Sequence, residues 1–145
     1  MFVGRFGGQT RNALRRARKE AAAPPVEAGT YVEPPRDDCK IREYTAHEDA
    51  TTRITVHVRN QASNLVYYAI MLDINDDGAW SHVARIDTSH GTAHIHRFTR
   101  QDQETGIRTV LMALHSESDV KLSWRDSYDT IKNNLAEHER HWRND

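Results

Sequence analysis

Nine of the 145 residues are histidine, and two of them, His94 and His96, stand two apart in the run Asp87-Thr88-Ser89-His90-Gly91-Thr92-Ala93-His94-Ile95-His96-Arg97. In a strand such a pair projects to one face. If the turn at Gly91 closes at its shortest sensible register, the neighbours of His94 and His96 across the hairpin are Arg85 and Val83, and Asp87 lies close to Thr92. The preceding strand adds Tyr67 beside Arg85, and the one before it adds His57. Imidazoles, a guanidinium, a carboxylate and a phenol then share one surface.

That set has the parts needed to cleave RNA without a metal. One histidine removes the 2′-hydroxyl proton, a second protonates the leaving oxygen, and Arg85 stabilises charge on the phosphorus. Alternatively, His90, His94, His96 and Asp87 could ligate a divalent ion with positions open for water. The plainest alternative is a solvated polar sheet face. The acid–base reading takes His94, His96, Arg85 and Asp87 as catalytic groups and Tyr67, His57 and His90 as binding groups, with no cofactor or metal.

Other motifs carry less chemistry. Asp73-Ile74-Asn75-Asp76-Asp77-Gly78 matches the first half of a calcium loop, but its twelfth position is Ala84 where a bidentate Glu is required, so a hairpin turn is expected there. His82 is expected on the core face, and His138 and His141 on the solvated side of a helix. Cys39 follows two aspartates, whose negative charge argues against a nucleophilic thiolate. Neither a Gly-rich phosphate loop nor a serine nucleophile elbow is present.

The elements that must position the histidine run are set off by Gly78, Gly91 and Gly106, each in a polar cluster between alternating segments rich in β-branched and aromatic residues. Strands are expected over 51–59, 65–73, 79–87, 92–99 and 107–115. Their apolar positions, among them Ile54, Val56, Tyr68, Ile70, Leu72, Trp80, Ala84, Ile86, Ile95 and Leu111, collect on one face of an antiparallel meander. Val120, Trp124, Tyr128, Ile131 and Leu135 then recur at helical spacing, capped by Ser118 or Asp119, and the helix runs on through Trp142. The expected fold is α+β: about five strands with one face covered by a C-terminal helix. Leu65, Ala69 and Met71, followed by Val110, Met112 and Leu114, would place apolar groups on the histidine face, which implies a cover there: a second subunit, a neighbour's arm or a protein partner.

The net charge of −1 averages two unlike parts. Residues 1–20 carry a net +5 and the rest −6. All four prolines fall between Pro24 and Pro35, so residues 1–36 read as a basic arm and extended linker, with a helix over 10–23, and 37–145 as one domain. Arg11, Arg15, Arg16 and Arg18 are the arm's candidate binding groups for nucleic acid or a partner. No stretch reaches the ~18 apolar residues of a membrane span. A single cysteine excludes an internally disulfide-stapled scaffold and makes a reducing compartment the default.

The segment His82–Arg97, with its Arg-x-Asp-x-x-His-Gly-x-x-His-x-His pattern, resembles a group of small uncharacterised bacterial and phage proteins, and the resemblance continues into Asp119, Val120, Trp124 and Tyr128. More distantly, it is similar to the TumE-type toxins of toxin–antitoxin systems. That resemblance implies a small α+β toxin acting on RNA or nucleotides, with an antitoxin as partner. The expectation is a protein of the bacterial cytoplasm or a virion that binds RNA or a phosphate-bearing partner through the histidine face. The competing expectation is a non-catalytic assembly protein, homo-oligomeric or docked on a larger complex through its arm.

Overall fold

The computed structural model describes residues 27–144. Arg11, Arg15, Arg16 and Arg18, the expected helix over 10–23, and Pro24 and Pro25 lie outside the described residues. Six antiparallel strands form one open sheet in sequence order: β1 Lys40–His47, β2 Thr52–Gln61, β3 Asn64–Asp76, β4 Ala79–Asp87, β5 Thr92–Arg97 and β6 Ile107–Ala113. Two helices follow, α1 Glu117–Lys132 and α2 Leu135–Asn144, and α1 packs across β3 while α2 packs on β4 and β5. The fold is the expected α+β meander with a helical layer on one face.

Strand β1 was not among the expected five. It is exposed along its whole length and carries no buried alternation for a pattern to detect. The chain direction reverses at Asp77–Gly78, where both residues have positive φ (60° and 89°), the geometry of a two-residue hairpin turn. Asn75 Oδ1 accepts the Gly78 N–H there at 3.0 Å, so the calcium-like sequence is a turn.

The core lies between the sheet and the helices, built from Ile54, Tyr68, Ile70, Leu72, Ile86 and Ile95 with Val120, Ile131 and Trp142 from the helices. Tyr68 is buried with its hydroxyl 2.7 Å from both Ser123 Oγ and Ser127 Oγ, and Trp124 meets its ring edge-on at 5.1 Å. That satisfied phenol lets a polar group sit under the helix at no desolvation loss.

Expectations for several individual residues are corrected, and β-bulges account for most of them. A bulge between Leu72 and Asp73 pairs Asp73 with His82 and leaves Val83 as the extra residue, buried in the core. Parity beyond it inverts, so His82 and Trp80 point to the histidine face: His82 donates to Asp73 and Arg53 stacks on Trp80. A second bulge, between Ala93 and His94, leaves Leu111 as the extra residue at the edge of the helix side, where it borders Met112 and Leu122 and is 43% exposed, while Leu114 is buried. It also pairs Met112 with Ala93, on the helix side, so of Val110, Met112 and Leu114 only Val110 faces with His94. Leu65, too, packs against the core cluster. His138 is corrected for another reason: it is buried. The expected single helix breaks at Asn133–Asn134, and the break lays α2 on the sheet with His138 and Trp142 inward.

His138 yields a pH prediction. Burial disfavours its charged form; Arg97 adds to this, while a hydrogen bond to Thr130 O and the Glu137 charge oppose it, and the pKa falls below 6.5. The group's stabilisation is therefore complete above the unfolded value and is lost as pH falls from there through the lower folded value. The melting temperature should drop as the pH is lowered from about 7 to about 5, and His138→Gln should flatten that slope. A slope unchanged in the variant would refute this assignment.

The second half of the expected linker belongs to the domain. Gly29 N donates to Gly91 O at 2.9 Å, Tyr31 N to Leu114 O at 3.0 Å, and the Tyr31 hydroxyl to Val66 O at 2.6 Å. A Cβ at Gly29 would fall 1.7 Å from Leu114 O, so only glycine permits this approach. The basic arm is thereby joined to the domain beside the Ser89–Gly91 turn.

Candidate functional site

The β4–β5 connection decides the geometry. Ser89–Gly91 forms a 3-10 turn in which His90 (φ 59°) and Gly91 (φ 77°) are both left-handed. This is longer than the shortest hairpin and slides the register by two residues. Asp87 therefore faces His94, and Arg85 faces His96. A shift of two preserves side-chain parity, so the expected face is kept while the partners change.

His94 Nε2 lies 3.1 Å from Asp87 Oδ1, and Arg85 Nε donates to Asp87 Oδ2 at 3.0 Å. Ser89 N–H also donates to Asp87 Oδ1, at 3.0 Å. Burial alone would raise the Asp87 pKa, but the hydrogen bond and charge of His94 and the bonds from Ser89 hold the carboxyl well below the usual range. The carboxylate is ionised and 2% exposed.

His94 is equally buried, and its Nδ1 lies 3.2 Å from Thr92 O and 3.1 Å from Thr92 Oγ1, which also accepts from Arg108 Nη2. Both ring nitrogens are thus engaged. His96 is half-buried, its ring 4.9 Å from that of His94 and edge-on to it. Its Nδ1–H donates to Thr105 O at 2.9 Å, which leaves Nε2 as the nitrogen without a backbone partner. Burial pushes its pKa down, and the His94 and Arg85 charges act in the same sense against the Thr105 bond. At neutral pH the ring is neutral, with a lone pair at Nε2 able to accept a proton or a metal ion.

Tyr67 does not lie beside Arg85. Arg85 stands opposite Met71 and Asp87 opposite Ala69, so Tyr67 falls beyond Asp87, where its hydroxyl meets the Ser89 side chain. Burial raises its pKa, and the Asp87 charge raises it further. Arg59 lies over the Tyr67 ring at 4.1 Å and donates to His57 Nε2 at 3.2 Å; His57 Nδ1–H in turn donates to Glu43 Oε2 at 3.1 Å. His90 is exposed on its turn and stands outside the Asp87–His94–His96 cluster.

A second set lies on the same face toward the other end of β3. Asp73, buried, accepts from His82 Nδ1–H at 2.7 Å and from Arg53 Nε at 3.3 Å, and Arg53 lies 4.1 Å over the Trp80 ring. Sequence reasoning missed this set because the bulge at Val83 brings it to that face. The alternation of Arg53 with Thr55 and His57 was the available signal.

Residues 36–144 match the family described as a domain of unknown function, DUF7718. The chain belongs to that family. The DUF7718 match spans every strand, both helices and all of the Asp87, His94 and His96 cluster, and leaves the basic arm outside. No curated protein and no solved structure matches the chain.

Proposed function

We propose that the histidine face of the sheet binds single-stranded RNA and that its phosphodiester bonds are cleaved at the Asp87–His94–His96 cluster. The observation carrying this reading is that Arg85 and the cluster sit on a sheet face that carries no helical layer among the described residues, flanked by arginines stacked on aromatic rings, Arg59 on Tyr67 and Arg53 on Trp80. An open sheet bearing aromatic rings and guanidinium planes suits unstacked bases, and arginine supplies the phosphate contacts. The resemblance to TumE-type toxins points to the same substrate class.

In this reading Arg85 faces the reacting phosphate. One histidine of the cluster takes the RNA 2′-hydroxyl proton as that oxygen attacks phosphorus, the bond to the 5′-oxygen breaks as the other histidine, protonated, gives it a proton, and the guanidinium stabilises the added negative charge. The domain is acidic overall, so attraction to RNA is local to this face and to the basic arm joined beside it.

Fluorescence anisotropy with a labelled single-stranded RNA tests binding. Tyr67→Ala should weaken it by about 1–2 kcal/mol, the stacking loss for one base, with the melting temperature nearly kept. Removal of residues 1–26 should make the affinity less dependent on salt. Denaturing gels test cleavage, which Arg85→Ala should slow by about a hundredfold or more. A wild-type protein inert on a panel of RNAs, with and without Mn2+, removes the nuclease reading. RNA binding unchanged by Tyr67→Ala and Arg59→Ala removes this face as the binding surface and leaves the assembly role.

A further inference from the structure

We propose that Asp87, His94 and His96 form a site for one divalent transition-metal ion. One ligand-capable atom from each lies within 4.8 Å of the other two, and among the described residues this is the group of three such side chains brought so close. His94 Nε2 and Asp87 Oδ1 are already 3.1 Å apart. Two donors at about 2.0–2.2 Å from a metal are roughly 2.9–3.5 Å apart for angles between square and tetrahedral, so these atoms stand where adjacent ligands would. The imidazole of His96, half-buried on its strand, supplies the third donor within that 4.8 Å.

The surrounding hydrogen bonds are those that orient metal ligands. His94 Nδ1 and His96 Nδ1 each lie within hydrogen-bond distance of a backbone carbonyl, Thr92 O at 3.2 Å and Thr105 O at 2.9 Å. A carbonyl can only accept, so it favours the proton on Nδ1 and offers Nε2 to the ion. Asp87 is fixed by Arg85 on Oδ2 and by Ser89 N–H on Oδ1. A ligand using Oδ1 alone leaves the Arg85 bond intact, and the guanidinium stays beside the ion.

Two imidazoles and one carboxylate select the zinc, iron(II), cobalt and manganese class over magnesium or calcium, which take oxygen donors. Three protein ligands on one side leave coordination positions open toward solvent. Asp73 and His82 provide an internal contrast: the same pair of side chains, 2.7 Å apart, falls outside any such group of three among the described residues.

The full chain titrated with Co2+ and followed by visible absorption, with Zn2+ calorimetry alongside, tests the site in the absence of RNA. One equivalent of Co2+ should bind and produce d–d bands, with excess Mg2+ unable to displace it. His96→Ala and Asp87→Asn should each weaken binding by about tenfold or more, while His82→Ala leaves it unchanged. The half-exposed position of His96 keeps that variant folded, as circular dichroism would verify. Absence of binding, or affinity unaltered in His96→Ala and Asp87→Asn, overturns the proposal. The inference is independent of the RNA reading: a protein that binds Co2+ through these residues but cuts no RNA upholds the metal site and removes the nuclease.

Discussion

Asp87→Ala is expected to lower the unfolding free energy by about 3 kcal/mol, measured by urea denaturation, and to abolish the proposed RNA cleavage. The carboxylate is 2% exposed and accepts from Arg85, His94 and Ser89 at once. Truncation leaves the buried His94 without its Nε2 partner and the Ser89 N–H without an acceptor. The loss stays at the lower end of the range for a broken buried pair because the Arg85 side chain is 37% exposed and regains water. Asp87→Asn keeps an acceptor for Ser89 and should lose about half as much. His94→Ala combined with Asp87→Ala should lose less than the sum of the singles, since the two share one hydrogen bond. A destabilisation below about 1 kcal/mol for Asp87→Ala would mean that water replaces these partners and that the cluster is not held as described.

Trp142→Ala is expected to have the larger effect on stability, about 3–5 kcal/mol. Trp142 is the largest fully buried side chain and anchors the end of α2 in the core. Arg100 and Arg143 flank its ring at 5.0 and 5.4 Å, and its carbonyl accepts the Arg100 N–H at 3.3 Å. Because the buried Nε1 makes no hydrogen bond among the described residues, Trp142→Phe should lose much less: it removes that donor and leaves a smaller cavity. The expected consequence extends to the site, since α2 packs on β4 and β5, the strands that carry Arg85, Asp87, His94 and His96. Hydrogen exchange of β4 and β5 amides should accelerate in Trp142→Ala. Protection there equal to wild type would show that α2 does not support the site.

These two residues were read from the sequence with unequal success. Trp142 was correctly placed at the end of a helical stretch, but the break at Asn133–Asn134 was not expected, and the break is what turns His138 and Trp142 inward together. Asp87 was placed on the correct face with the wrong neighbour. Its register depends on the length of the Ser89–Gly91 turn, and the sequence marks a turn at Gly91 without showing that His90 also takes a left-handed backbone. Tyr67 was placed beside Arg85 because the bulges and full length of β3 and β4 leave no periodic signal.

Alternation of side chains is a local property, so the sequence by itself determined the strands β2–β6, the helical stripe and which face carries His94, His96, Arg85 and Asp87. Pairing between strands is not local. It is set by loop closure, bulges and the helical layer, and these decided that Asp87 meets His94, that His82 leaves the core for Asp73, and that Gly29–Tyr31 bonds to the sheet beside the site. One extra residue in a strand inverts every side chain beyond it, and only the packed tertiary structure selects where that residue goes.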